Sequence, residues 1–248
     1  MPQPLDDHQQ FTFDPDEGAS GAYITEAGKP VAAAVILSQL FKVLKGLEGE
    51  MIEISQQLID SEITLQEWYD AMSEKKRISH NLAGALVVGG VILMSDDDFD
   101  SVADMSLEDI ARQDFNDYES LDNFALAIAA GLPLGKGFLN RVRLHIKAGK
   151  TTFHRLKGII VEKNGFNEER RVLGSTLDHC RTLGGHTGCV EWADMGWQPL
   201  GSTADITDSP CMKNCLCHKE FRRVPAGPIA QRLIRDVFVN LMKANYDN

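Results

Sequence analysis

A chain of 248 residues with 43% apolar and 25% charged side chains can bury a substantial core, which excludes wholesale disorder. Its formal net charge of -11 argues against a protein that coats nucleic acid, because phosphate binding needs a basic footprint. The longest apolar stretch, 82–94, contains three glycines and falls short of the roughly 18 residues that would nominate a membrane span.

The opening MPQPLDDHQQ lacks the basic start and apolar run of a secretory signal, so the expected folding compartment is a cytosol, where cysteines stay thiols or bind metal. Residues 1–28 are rich in Pro, Gly, Asp and Gln and read as an extended arm that crosses onto a neighbouring subunit; its deletion is expected to leave the body folded. From Lys29 the pattern turns helical. Leu37, Leu40, Leu44, Leu47, Met51, Ile54 and Leu58 recur in steps of three and four, which fits a two-helix hairpin better than an intermolecular coiled coil. Thr64 and Glu67 form a capping box for the next helix, whose stripe runs through Leu65, Trp68, Met72, Ala83, Leu86, Gly90 and Met94. Gly84, Gly89 and Gly90 are expected to allow close backbone approach to a neighbour.

Residues 96–122 hold eleven carboxylates against one Arg112. The DDDFD run fails as a calcium loop: counted from Asp96, positions six and twelve are Ser101 and Leu107 instead of Gly and Glu. A solvated acidic turn is the better reading. Ser106 and Asp109 then cap a third helix, which Gly131 and Pro133 end. Residues 133–157 reverse the charge, with seven basic residues and no carboxylate. They read as one amphipathic helix whose basic stripe carries Lys136, Arg143, Lys147, Lys150, His154 and Lys157. That stripe is expected to dock on carboxylates of this chain or a neighbour; contact with packaged DNA through Lys136, Arg143, Lys147 and Lys150 is the alternative. Asn164-Gly165, between 159–161 and 171–173, reads as the turn of a short β-hairpin. A C-terminal helix follows Pro228, with Ile229, Leu233, Val237 and Leu241 on one face.

All five cysteines, Cys180, Cys189, Cys211, Cys215 and Cys217, lie in the last third of the chain. Their surroundings are too rich in Gly, Thr, Ser and Asp to bury much apolar surface, so something else must organise them. Tetrahedral zinc would do so, with four ligands drawn from these cysteines or from His179, His186 and His218. Disulfides and free thiols remain alternatives, because the spacings C-x8-C and C-x3-C-x-C lack the usual C-x2-C pairs. No catalytic pattern survives inspection. Pro210-Cys211 is followed by Cys215, one residue late for a deaminase, and the one H-x-E, His218-Lys219-Glu220, lies after the cysteines instead of before them. Neither H-E-x-x-H nor a complete phosphate-binding loop occurs.

The expected fold is therefore mainly α. A helical hairpin or bundle body at 29–157 carries a small irregular Cys/His-rich knob at 158–223 and a C-terminal helix at 224–248. The order of segments resembles the tailed-phage minor head proteins, the head-morphogenesis group that includes the Mu F-like proteins. The resembling residues begin with Leu65 to Met72, His80, Ala83-Gly84-Ala85 and Gly89-Gly90, then Tyr118, Leu121, Phe124, Gly131 and Arg141-Val142-Arg143. They continue in the knob with Asp178-His179-Cys180, Trp197 to Gly201, and Pro210-Cys211 through Asn214-Cys215-Leu216-Cys217. The resemblance covers roughly residues 60–223. It implies a non-enzymatic, oligomeric virion component, made in the host cytoplasm. Such a protein touches portal, major capsid or neck subunits and serves head assembly or DNA packaging. A zinc-dependent nucleic-acid-binding module is the alternative, and a Cys/His hydrolase a more distant one.

Overall fold

The computed structural model describes residues 11–13, 23–25, 29–31, 33–88, 119–174, 188–206 and 215–224. The fold is mainly helical. Helices α1 (Ala33–Ile59) and α2 (Leu65–Val88) form the expected hairpin. Leu37, Leu40, Leu44, Leu47, Met51 and Leu58 are buried along the inner face of α1, while Ile54 is half-buried beside the buried Ser55. Ser55 accepts a 2.9 Å hydrogen bond from the Trp68 indole, so the one hydroxyl in this seam is satisfied. Ser61, at a φ of 60°, ends α1 in the left-handed region usually given to glycine; the Ser61 and Glu62 amides cap the Leu58 and Gln57 carbonyls. The capping box then opens α2: the Thr64 amide donates to Glu67 Oε2 at 2.7 Å and the Glu67 amide to Thr64 Oγ1 at 3.2 Å.

A third helix, α3, is described over residues 119–129, and α4 spans Lys136–Ile146. Leu121 and Phe124 from α3 and Phe138 from α4 pack on Trp68, with the Trp68–Phe124 and Trp68–Phe138 ring centroids 5.7 and 5.6 Å apart. Gly131, at a φ of 96°, stops α3 as its sequence signals. The Ser106 cap, the acidic run at 96–118, Gly90, Met94 and the C-terminal helix at 225–248 lie outside the described residues.

The single basic helix expected within 133–157 is two helices. A turn at Lys147–Ala148 separates α4 from α5 (Gly149–Lys163), which packs on α2. The break sits at Gly149, where a Cβ would lie 2.7 Å from the Ser79 carbonyl oxygen and 3.2 Å from Leu44 Cδ2. The close approach expected at Gly84 is therefore made at Gly149 instead; a Cβ at Gly84 meets nothing nearer than 3.4 Å. Gly149→Ala is expected to cost about 1–3 kcal/mol, as overpacking against a fixed backbone does. A urea midpoint unchanged from wild type would show that α5 can shift freely.

The split changes the fate of the basic stripe. Lys150 and Lys157 are buried, with their ammonium groups over Phe41 and Tyr23 at 4.9 and 5.2 Å. Arg143 pairs with Glu48 of α1 at 3.1 Å, and Lys136 is exposed. Docking on the chain's own carboxylates thus holds for Arg143. A DNA-contacting row that includes Lys150 does not, because that side chain is 3% exposed.

Residues 1–28 are not a free arm where they are described. Strands β1 (Phe11–Phe13), β2 (Tyr23–Thr25) and β3 (Pro30–Val31) form an antiparallel sheet in the order β1-β2-β3. Tyr23 is fully buried against α1, α2 and α5, and its hydroxyl donates to the Val87 carbonyl at 2.9 Å. Tyr23 and Val31 share one core across the expected boundary at residue 28, so a chain without residues 1–28 loses part of that core.

The hairpin expected around Asn164-Gly165 is also corrected. Residues 159–161 belong to α5, and Gly165, at a φ of 76°, is its C-terminal cap: the Gly165 and Phe166 amides reach the Glu162 and Val161 carbonyls. Asn-Gly suits a hairpin turn and a helix cap for the same reason, tolerance of the left-handed region, so the dipeptide alone does not separate them. Strand β4 (Glu168–Val172) follows and pairs antiparallel with β5 (Gln198–Pro199) and β6 (His218–Arg222), in the order β5-β4-β6.

Candidate metal centre

Strand β4 is almost wholly charged, yet it is the centre of its sheet. The register explains this. Glu168 faces Arg222 and Arg170 faces Glu220, with ion-pair distances of 2.5 Å in both pairs. The Arg170 and Arg222 guanidinium groups lie 4.7 and 4.4 Å from the Trp197 ring centre. The alternate residues Glu169 and Arg171 point to the other face and are buried. Glu169 accepts hydrogen bonds from the Thr203 amide (2.8 Å) and hydroxyl (2.6 Å), and Lys219 Nζ lies 3.1 Å from it. This buried pair latches the 203–205 loop to the sheet.

The cysteines gather at the end of that buried face. Cys215 and Cys217 lie on the extended chain leading into β6, so two-residue periodicity turns both sulfurs inward and leaves Leu216 exposed. Cys189 opens a short helix, α6 (Cys189–Asp194), after an extended Gly188. The three Sγ atoms lie within 4.8 Å of one another, and all three residues are buried. The Cys189–Cys215 Sγ separation is 3.7 Å, far beyond a disulfide bond, and the three cysteines form no disulfide among themselves. A tetrahedral ion with metal–sulfur bonds of about 2.3 Å sets its sulfurs about 3.8 Å apart. The Cys189–Cys215 pair therefore has the spacing of two corners of such a site, and with Cys217 inside 4.8 Å the trio can hold a metal ion.

Two further features fit that use. Gly174 comes so close to residue 216 that a Cβ on it would lie 2.5 Å from the Leu216 carbonyl oxygen. This approach lets the Gly174 amide donate to Cys217, a donor of the kind that stabilises a coordinated sulfur. Hydrogen bonding to Cys215, and then burial, push the Cys217 thiol well above its ordinary range. Three such sulfurs cannot share the space as thiolates unless a cation joins them.

No family model, curated protein or solved structure matches this chain. Cys189, Cys215 and Cys217 come together; Cys180, Cys211, His179 and His186 lie outside the described residues. His218 does not join them. It follows Cys217 on the strand and so faces the other way, with Nε2 3.9 Å from Glu220 Oε1. Arg171 was not foreseen. It donates to Cys189 Sγ at 3.2 Å and to the Ala204 and Asp205 carbonyls at 3.0 Å each. The Glu-Glu-Arg-Arg run gives no hint of it, since such a run reads as surface on both faces.

Proposed function

We propose that this chain is a structural component of a tailed-phage head, portal vertex or neck, acting in head assembly or DNA packaging, and that zinc holds its knob together. The observation that carries the reading is the meeting of resembling stretches in one small unit. The segment at Trp197 to Gly201 supplies β5, while Cys215-Leu216-Cys217 joins Cys189 in the sulfur cluster; both are tied to β4 or its extension. Zinc suits the cluster because its ligands are thiols, with Cys189 and Cys215 at tetrahedral spacing, and because so small a core needs a staple.

The alternatives lose support on specific residues. A nucleic-acid module needs its basic stripe at the surface, and Lys150 is buried while Arg143 is paired. A hydrolase needs a base beside its thiol, and Cys189 is touched by a guanidinium, which accepts no proton, and by the Cys215 sulfur; Cys180 lies outside the described residues. The test has two parts. Peptides of this chain should appear in density-gradient-purified particles, and the purified protein should carry one zinc per chain. A chain that stays monomeric at high concentration and is missing from particles overturns the assembly role, whatever its metal content.

A further inference from the structure

We infer that Arg171 is the counter-ion of the cysteine centre, and that the centre is a metal–thiolate cluster of net negative charge holding a thiophilic divalent cation. The inference rests on the metal-centre reading and adds to it a charge and a residue that sets it. Arg171 is 2% exposed, and its guanidinium lies 4.5 Å from the Trp192 ring centre. One terminal nitrogen bonds two backbone carbonyls, the other bonds Cys189 Sγ, and Nε has no hydrogen-bond partner among the described residues. No carboxylate of the described residues forms an ion pair with it. The nearest on its own strand face, Glu169, is committed to Thr203 and Lys219.

A guanidinium cannot shed its proton, so burial does not neutralise it. A buried charge persists where an opposite charge accompanies it. Among the described residues, the one contact of Arg171 able to carry that charge is the sulfur of Cys189. A divalent ion bound by three thiolates and a neutral ligand has net charge -1, and by four thiolates -2, by simple addition of formal charges. Either offsets Arg171. Two thiolates with two imidazoles give a neutral site and leave the guanidinium uncompensated, so the geometry selects the thiolate-rich set. Hard, oxygen-seeking cations such as magnesium or calcium have no place in it.

The experiment uses the full chain, with zinc affinity measured by competition against a chromophoric chelator and cobalt(II) as a spectroscopic substitute. Wild type is expected to bind one ion and to show a tetrahedral cobalt spectrum with strong thiolate-to-metal charge transfer. Arg171→Met keeps an unbranched side chain over Trp192 but removes the charge. It should bind zinc at the same stoichiometry about 10–100-fold more weakly, the range seen when a ligand's outer partner is lost. Its charge-transfer band should move to lower energy, because the sulfur electrons lose a neighbouring cation; a role limited to packing would leave that band in place. Arg171→Lys, which keeps the charge, should fall closer to wild type in both readouts, and it carries the test if the methionine variant does not fold. Equal affinity and an unmoved band in Arg171→Met, or a lysine variant no better than methionine, overturns the counter-ion role. Failure of the wild-type chain to bind zinc or cobalt overturns the metal reading itself.

Discussion

Treatment with a strong chelator, or replacing Cys215 by alanine, should unfold residues 188–206 and 215–224 while most of the helical signal survives. The reason lies in how small the apolar core on its sulfur side is. Its sulfur-side core is Cys189, Ile206, Cys215 and Cys217, with Leu173 packed against it. Full burial of one aliphatic side chain such as Ile206 contributes about 1.5–3 kcal/mol, whereas structural zinc supplies roughly 10–16 kcal/mol in small zinc-dependent folds. The helical body depends on separate clusters around Trp68 and around Tyr23. Fluorescence can follow the loss, because Trp192 and Trp197 sit in the knob under arginine side chains while Trp68 is buried in the body. Far-ultraviolet circular dichroism should stay within a small margin of the holo protein, and proteolysis should cut first within 188–224. Fluorescence and proteolysis that ignore both chelator and Cys215→Ala would mark the trio as buried thiols with no metal role.

The helical hairpin was legible because its signals are local. The seam of α1, the Thr64–Glu67 box and the Gly131 stop each act over three to seven residues, and each is found where the sequence places it. The errors share a different cause. One helix became two at Gly149 because α5 meets the Ser79 backbone, a contact that no periodicity within 133–157 records. Asn164-Gly165 fits two turn chemistries, and the partner of β4 lies some 50 residues away at 218–222. The buried face of β4 was the least legible. Glu169, Arg171 and Lys219 look like surface residues one at a time, and only their pairing across the sheet and with the 203–205 loop makes burial tolerable. For the site, three of five named cysteines converge, His218 leaves the candidate set, and Arg171 enters it.

Replacing Lys157 with methionine should stabilise the protein at neutral pH, against the usual direction for a buried substitution. Lys157 is 5% exposed, and its ammonium faces the Tyr23 and Phe221 rings at 5.2 and 5.8 Å without a salt bridge among the described residues. Beside it His154 is half-buried, its Nε2 buried and without a hydrogen-bond partner among the described residues, and burial, then the charges of Lys150 and Lys157, hold its imidazole well below the usual range. Burial lowers the Lys157 amine from 10.5 to about 8, with Glu220 working in the opposite direction. Because the folded value is depressed, the folded state binds fewer protons than the unfolded state between about 8 and 10.5, so stability rises with pH across that window. Below about 8 both states are protonated and the full cost remains, about 3.5 kcal/mol at about 1.4 kcal/mol per pH unit. Methionine keeps the unbranched stem in the same apolar slot and removes the charge, at the loss of cation–π attraction of about 0.5–2 kcal/mol. The net gain expected at pH 7 is thus about 1.5–3 kcal/mol, and it should shrink toward pH 10.5 as the wild-type amine deprotonates. Urea midpoints at pH 7 and pH 10 read both effects. A variant less stable than wild type at pH 7, or a gain that does not diminish at pH 10, would mean that the Lys157 ammonium is compensated where it sits.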